Sequence, residues 1–340
     1  METSQTRPCP SDRPKPACPA GPLRPVWWAV LALLLGASMV AGLLFGQTDI
    51  FPLTDTTRNI LWNLRLPRVL FGAVNGGALA LSGVLYQIAL RNPLADGFTT
   101  GAASSAAFGG CFALVLAGSG IGVSLAALVT AFTGIGLVRH IVARAGDQSR
   151  ITIILAGIGL SVVAGSGISF LKYFFEDSVS TMVFWLMGGL YAATYSKTAI
   201  LFLTLGLVCL YLWLRRRHLA LLFLDDASAQ TSGVDVHKLR EILFAVTTTL
   251  VALSVSFCGV IGFLGLLVPH ASRAILGHGL MAQLVGSTLL GASALVLFDL
   301  CARTVLPYGG ELPVGIITSF AGGLFFFILL IRKGHGVWAR

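Results

Sequence analysis

Residues whose types and spacing suit chemistry are scarce in this chain. His270 follows Pro269 directly, and Asp299 stands at the end of an apolar run. Either could ligate a metal or relay a proton, and a charge held inside a membrane is a functional suspect by default. An isolated, hydrogen-bonded polar residue is the plainer reading of both. The six cysteines (Cys9, Cys18, Cys111, Cys209, Cys258 and Cys301) lack metal-ligand spacing such as CxxC and read as small apolar filler. No GxxxxGK[ST] occurs, and none of the five lysines follows a glycine. The chain is therefore not a P-loop ATPase by itself. HExxH and GxSxG are also absent.

Three polar stretches stand out instead. The first, Arg91-Asn92-Pro93-Leu94-Ala95-Asp96, interrupts two apolar runs. Asn-Pro starts a turn and stops the helix before it. Irregular backbone at a membrane is tolerated where it is buried in protein or lines a cavity. A pathway element and a simple turn both fit. The second stretch is Arg215 to Glu241, in which the apolar Leu219–Leu224 precedes Asp225 and Asp226. Residues 227–232 can form one or two helical turns, ended by Gly233 as a C-cap glycine. A solvated loop has no need of Leu221, Leu222 and Phe223, so a short acidic, half-apolar docking helix is expected. The third is a trio of arginines, Arg65, Arg68 and Arg303. Fixed positive charge there could anchor lipid phosphate or dock an acidic partner. Reversing all three charges is expected to weaken such docking while folding survives.

Composition decides what must position these groups. Of 340 residues, 56% are hydrophobic and only 11% charged. A soluble domain carries about 25% charged residues. Mean hydropathy is +0.86. The bulk of the chain belongs in lipid, which excludes a soluble enzyme, a nucleic-acid-binding domain and a disordered protein. Forty glycines suit closely packed membrane helices. A β-barrel would alternate apolar and polar residues rather than run apolar continuously. Gly72 with Gly76, Gly118 with Gly122, and the small-residue stripe 101–107 are expected at helix contacts.

About 20 apolar residues cross a bilayer. The expected spans are Val26–Phe45, Val69–Leu90, Phe98–Ala117, Ile121–Val138, Ile151–Phe175, Ala199–Leu214, Ile242–Val260, Gly262–Leu276, Leu280–Leu300 and Leu312–Ile331. Gly259 and Gly262 suggest a turn, and Pro269 a break or kink. Residues 179–195 look like an interfacial helix. Ten spans put both termini on one side. With both in the cytoplasm, 17 of the 23 basic residues lie inside and six outside, as the positive-inside rule requires. The organisation is thus a disordered tail (1–25), a ten-helix membrane domain (26–333) and a short C-terminal tail (334–340), both tails cytoplasmic. The net charge of +9 sets topology and does not signal nucleic acid.

Several motifs then add up. They are Arg65-Leu66-Pro67-Arg68, Asn92-Pro93-Leu94-Ala95-Asp96, Phe184-Trp185-Leu186-Met187-Gly188-Gly189, the run Gly259 to His270, Asp299-Leu300-Cys301-Ala302-Arg303, and Glu311-Leu312-Pro313-Val314-Gly315. In order and spacing, over residues 27–333, the chain resembles the FecCD family. These are permease subunits of binding-protein-dependent ABC importers for iron-siderophore complexes, haem and cobalamin. The resemblance implies an all-α type II importer fold, a homodimer with the path on its axis, and no cofactor or resident metal. Two copies of a separate cytoplasmic ATPase would dock on residues 219–233, where Leu221, Leu222, Phe223, Asp225, Asp226 and Gly233 lie. A periplasmic or lipid-anchored binding protein would dock outside, its carboxylates pairing with Arg65, Arg68 and Arg303. The turn Asn92-Pro93-Leu94 would form a cytoplasmic gate in the inner, or plasma, membrane. Family members often carry a glutamate where Ala227 stands, and an aspartate beside it is expected to substitute. An iron-siderophore cargo is the default expectation, with haem or cobalamin as alternatives. An ion-coupled secondary transporter would need acidic residues within its spans. A membrane enzyme would need clustered catalytic groups.

Overall fold

A computed structural model describes residues 25–48, 51–52, 54–118, 120–146, 149–306 and 310–333. Most of the expected N-terminal tail, and the C-terminal tail, lie outside the described residues. Among the described residues all regular structure is helical. The helices are α1 (Pro25–Leu44), α2 (Asp55–Ile60), α3 (Leu66–Leu90), α4 (Ala102–Ala117), α5 (Ile121–Arg144), α6 (Arg150–Phe174) and α7 (Val179–Leu186). They continue with α8 (Tyr195–Leu214), α9 (Arg216–Leu224), α10 (Asp226–Thr231), α11 (Val236–Cys258), α12 (Leu264–Leu276), α13 (Ser287–Thr304) and α14 (Val314–Lys333). Seven stretches are long and apolar enough to cross a membrane, and α4, α12 and α14 are shorter apolar helices. Together they coincide with the ten expected spans.

Two boundaries differ from expectation, each for a local reason. The second span does not begin at Val69: helix runs from Asp55 to Leu90 through a widened π turn at Leu61–Arg65. Pro67 lacks an N–H and would crowd the carbonyl four residues earlier, and the widened turn accommodates it. Pro269 does not break α12, which is continuous from Leu264 to Leu276. The carbonyl of Gly265, which Pro269 leaves without a helical donor, accepts instead from Gln87 Nε2 of α3 at 3.4 Å. The break falls earlier, at Gly259–Phe263. The 179–195 segment is helical only over α7. Met182 is fully buried in a cluster with Cys111 and Leu114 of α4, so α7 is packed on protein.

Helix α3 is the hub of the fold, buried over most of its length between α8, α11, α12 and α13. Glycine makes this possible. A Cβ on Gly76 would collide with the backbone of Gly291 in α13, and one on Gly83 with the backbone of Gly265 in α12. Such close approach is how helices gain contact in lipid. The stripe 101–107 behaves as expected, with Ala102, Ala103 and Ala106 buried against α5. Gly118 and Gly122 do not: a Cβ on either would meet open space. Gly118 only ends α4. Gly76→Ala is therefore expected to destabilise the chain by about 1–3 kcal/mol through overpacking. Gly122→Ala is expected to leave it unchanged or more stable by up to about 1 kcal/mol. Unfolding titrations in mixed detergent micelles separate the two.

Candidate functional site

The inner turn is built by its own side chains. Helix α3 ends on Arg91, which takes a left-handed conformation (φ +46°). Asn92 Oδ1 accepts the N–H of Leu94 at 2.9 Å, locking the turn around Pro93. Asp96 Oδ1 accepts the N–H groups of Phe98 and Thr99, while Thr99 Oγ1 accepts that of Asp96. Short polar side chains thus replace helix bonds with local ones. Pro93 and Arg91 line a cavity of about 230 Å³ together with Gln87, Leu222, Phe223 and Arg273. Beyond the turn, Asp96, Phe98 and Thr99 face a larger cavity of about 710 Å³, shared with Met187, Phe263 and Ser319. The turn therefore lies between the second polar stretch and the larger void. Asp96 belongs to the stretch expected to serve as a pathway element, whereas Phe98 and Thr99 lie beyond it.

The second stretch folds as two short helices. In α9, Leu219 and Leu222 are fully buried, whereas Leu221 and Phe223 pack partly against the core and Leu224 is exposed. Asp225 caps α10, accepting from the N–H and hydroxyl of Ser228, both at 2.6 Å. Those bonds hold its carboxyl below the usual carboxylate range. At the other end Gly233 takes φ +80°. The N–H of Gly233 reaches Gln230 O at 2.9 Å and that of Val234 reaches Ala229 O at 3.0 Å. This is a Schellman closure, and the apolar pair Ala229 and Val234 is buried beneath it.

Asp226 was expected to offer charge to a partner. Here it is engaged within the chain. Arg240 Nη2 of α11 lies 2.7 and 2.6 Å from its two oxygens, Arg91 Nε lies 3.4 Å from Oδ1, and Arg150 at the start of α6 pairs with Oδ2. Arg91 Nη2 also donates to Leu222 O at 3.2 Å. Burial disfavours the charged carboxylate, but Arg240 and Arg150 outweigh it and hold the pKa below normal. Ionised Asp226 therefore stabilises the fold at neutral pH, and that contribution is lost as pH falls through the folded-state pKa. Sequence reading missed this convergence because the arginines stand far away in the chain. Their one signal was the surplus of basic residues on the side expected to be cytoplasmic.

The outer arginines are not the exposed charges expected. Arg65 and Arg303 are buried, and the Arg68 side chain is 13% exposed. Arg68 makes a forked pair with Asp299 (2.9–3.1 Å) and a bond to Glu311 (2.8 Å). Arg303 Nε lies 3.0 Å from Asp299 Oδ2, which Arg68 also contacts, and its Nη2 donates to Gly42 O at 3.2 Å. Arg65 donates to the carbonyls of Leu43, Leu44 and Thr48 at the end of α1. The trio ties α1, α3 and α13 together around Asp299. Reversing all three charges would strike the fold itself, contrary to the expectation that folding survives.

The glycine motifs converge as well. A Cβ on Gly259 would meet the carbonyl of Trp185, one on Gly188 that of Val260, and one on Gly315 that of Met187. Gly189 N–H donates to Cys258 O at 2.8 Å, and Gly315 N–H to Gly188 O at 3.3 Å. Three loops far apart in sequence thus cross backbone to backbone beside the larger cavity. His270 Nδ1 lies 2.8 Å from Leu266 O of its own helix. No group of three metal-ligating side chains occurs among the described residues.

These are the segments that carried the resemblance, and comparison with known proteins bears on them directly. The profile of the FecCD transport family matches residues 26–332. The chain belongs to the FecCD family. An iron chelatin transport system permease of Helicobacter pylori is 35% identical over 276 residues, covering 80% of this chain and 82% of that one. The vitamin B12 import permease of Escherichia coli O1:K1 is 31% identical over 319 residues, covering 91% and 96%. A solved metal-chelate type ABC transporter in an inward-facing conformation superposes with a TM-score of 0.82 at 31% identity, covering 91% of this chain and all of the other. Within this FecCD chain, the outer cluster, the glycine crossing and the inner turn lie in separate places, linked by α3, α11 and α13.

Proposed function

We propose that the chain is the membrane permease of an ABC importer that carries a metal chelate of the iron-siderophore type across the inner membrane. Haem and cobalamin are the alternatives within the same family. The observation that carries this reading is the cavity that Leu222 and Phe223 of α9 share with Arg91 and Pro93, together with the pairing of Arg91 with Asp226 of α10. A cytoplasmic docking element and a gate candidate share one small cavity and a web of charge-assisted bonds. A separate ATPase pair would seat on Leu221, Phe223 and α10, and its closure would draw α10 and move the turn. The permease itself performs no covalent step and needs no cofactor. Two copies would assemble around the path, as the family resemblance implies. The charge bias supports cytoplasmic termini. A binding protein would dock on the outer surface near Arg68 and Glu311, the more accessible edge of the cluster that holds Arg65 and Arg303.

The test is reconstitution in vesicles with the partner ATPase and binding protein. ATP-dependent uptake of the ligand that the binding protein carries is expected. Uptake driven by an ion gradient without the ATPase would instead identify a secondary transporter. Deleting residues 225–232 is expected to abolish ATP-driven uptake while the membrane domain still inserts. Uptake at the unaltered rate would remove α10 from the coupling path.

A further inference from the structure

One carboxylate facing three arginines is an unusual arrangement. Asp226 offers about four lone-pair sites. Arg240 takes one on each oxygen, Arg150 binds Oδ2 and Arg91 approaches Oδ1 at 3.4 Å. Three of the four sites are thus taken from within the chain, and the fourth faces Arg91. Three guanidinium groups converge on this one carboxylate, with Asp225 beside it also acting on Arg91. Without that carboxylate the arginines would repel one another across the α3, α6 and α11 ends. Their positions matter as much as their number. Arg91 closes α3 and opens the gate turn, Arg150 begins α6, and Arg240 lies in the first turns of α11. Asp226 itself is the first residue of α10, held rigidly by the Asp225 cap and the Gly233 closure.

We propose that Asp226 is the positioning residue through which α10 moves the membrane helices, delivering one displacement to the gate turn, α6 and α11 together. This rests on the reading that an ATPase docks on α9 and α10. A rigid, short helix with one charged link to each of three elements transmits a pull without any of them having to deform. Two-state packing then turns a small shift at the surface into a change at the turn. The direct task of Asp226 is therefore inward, toward the arginines, and the surface presented to the ATPase is the exposed remainder of α10, including Ala227 and Gln230.

The test uses the full chain with its partner ATPase in lipid nanodiscs. Leu94→Cys reports on the turn through its alkylation rate, with Cys9, Cys18, Cys209 and Cys301 replaced by serine. The probe is ATP with vanadate. In the otherwise unaltered chain, trapping changes the alkylation rate. Asp226→Asn is expected to retain the ATPase and its hydrolysis but to shrink that change at least about tenfold, the factor one bond to a charged group carries. Asp226→Glu restores it. Arg91→Gln, which leaves Arg150 and Arg240 on the carboxylate, has the same effect, and the double variant is no worse than either single one. A full response in Asp226→Asn overturns the proposal. Should that variant fail to fold, a full response in Arg91→Gln overturns it equally. Failure of the ATPase to bind the unaltered chain overturns the docking reading, and the assigned task of Asp226 falls with it.

Discussion

Asp299→Ala is expected to destabilise this chain by about 3–5 kcal/mol, the cost of stripping the counter-charge from a buried ion pair. Asp299 is 2% exposed and is the shared partner of Arg68 and Arg303. Its removal leaves two guanidinium groups close together, one of them fully inside, with Arg65 nearby. Arg68 keeps Glu311, and Arg303 keeps only the Gly42 carbonyl. The loss reaches three helices at once, because this cluster joins the C-terminal ends of α1 and α13 to the N-terminal end of α3. Two controls separate charge from packing. Asp299→Asn preserves shape and is expected to be nearly as damaging. Glu311→Gln, at a side chain 41% exposed, is expected to cost only about 0–1 kcal/mol. Unfolding titrations in mixed micelles measure all three. Equal, small losses throughout would mean that the outer arginines are solvated and free. Glu311→Gln also gives a docking test that spares the fold, since it releases one bond of Arg68 at the accessible edge.

The residues explain what sequence alone made legible. Ten apolar runs announced ten helices because a bilayer imposes length and composition on each span independently. Nothing beyond the local stretch was needed. The Gly233 closure was legible for the same reason, since a Schellman end is written within six residues. Asp226 and Asp299 were not legible. Each is defined by arginines brought from elsewhere in the chain, and an acidic residue beside an apolar run looks the same whether it faces a partner or a neighbour. The small-xxx-small spacing likewise identified faces without saying which were occupied: Gly76 meets Gly291, whereas Gly122 meets nothing. The motif-rich runs at 184–189, 259–270 and 311–315 were recognisable as text before their cause was visible. Their common cause is that they touch.

That contact yields the second large prediction. Gly259→Ala and Gly277→Ala make a matched pair. Both glycines follow a helix, and both combine a positive φ with an extended ψ, at φ +72°, ψ −160° and φ +86°, ψ −171°. Each alanine therefore bears a similar backbone cost, about 1–3 kcal/mol for an L-residue in that region. Their surroundings differ. A Cβ at 277 meets no atom within 4 Å, while one at 259 would be driven into the carbonyl of Trp185. Overpacking adds about 1–3 kcal/mol at 259 and nothing at 277. The difference between the two variants thus isolates the loop crossing from the turn. A carbonyl cannot rotate aside as a side chain end can, so relief at 259 must shift the 185–189 loop. That loop contributes Leu186 and Met187 to the larger cavity. Gly259→Ala is accordingly expected to lower transport even in protein that remains folded, whereas Gly277→Ala lowers stability alone. Uptake per folded molecule, measured at a temperature where both variants are native, discriminates the outcomes. Equal uptake by the two would show that the crossing of the three glycine loops holds the fold together without shaping the path.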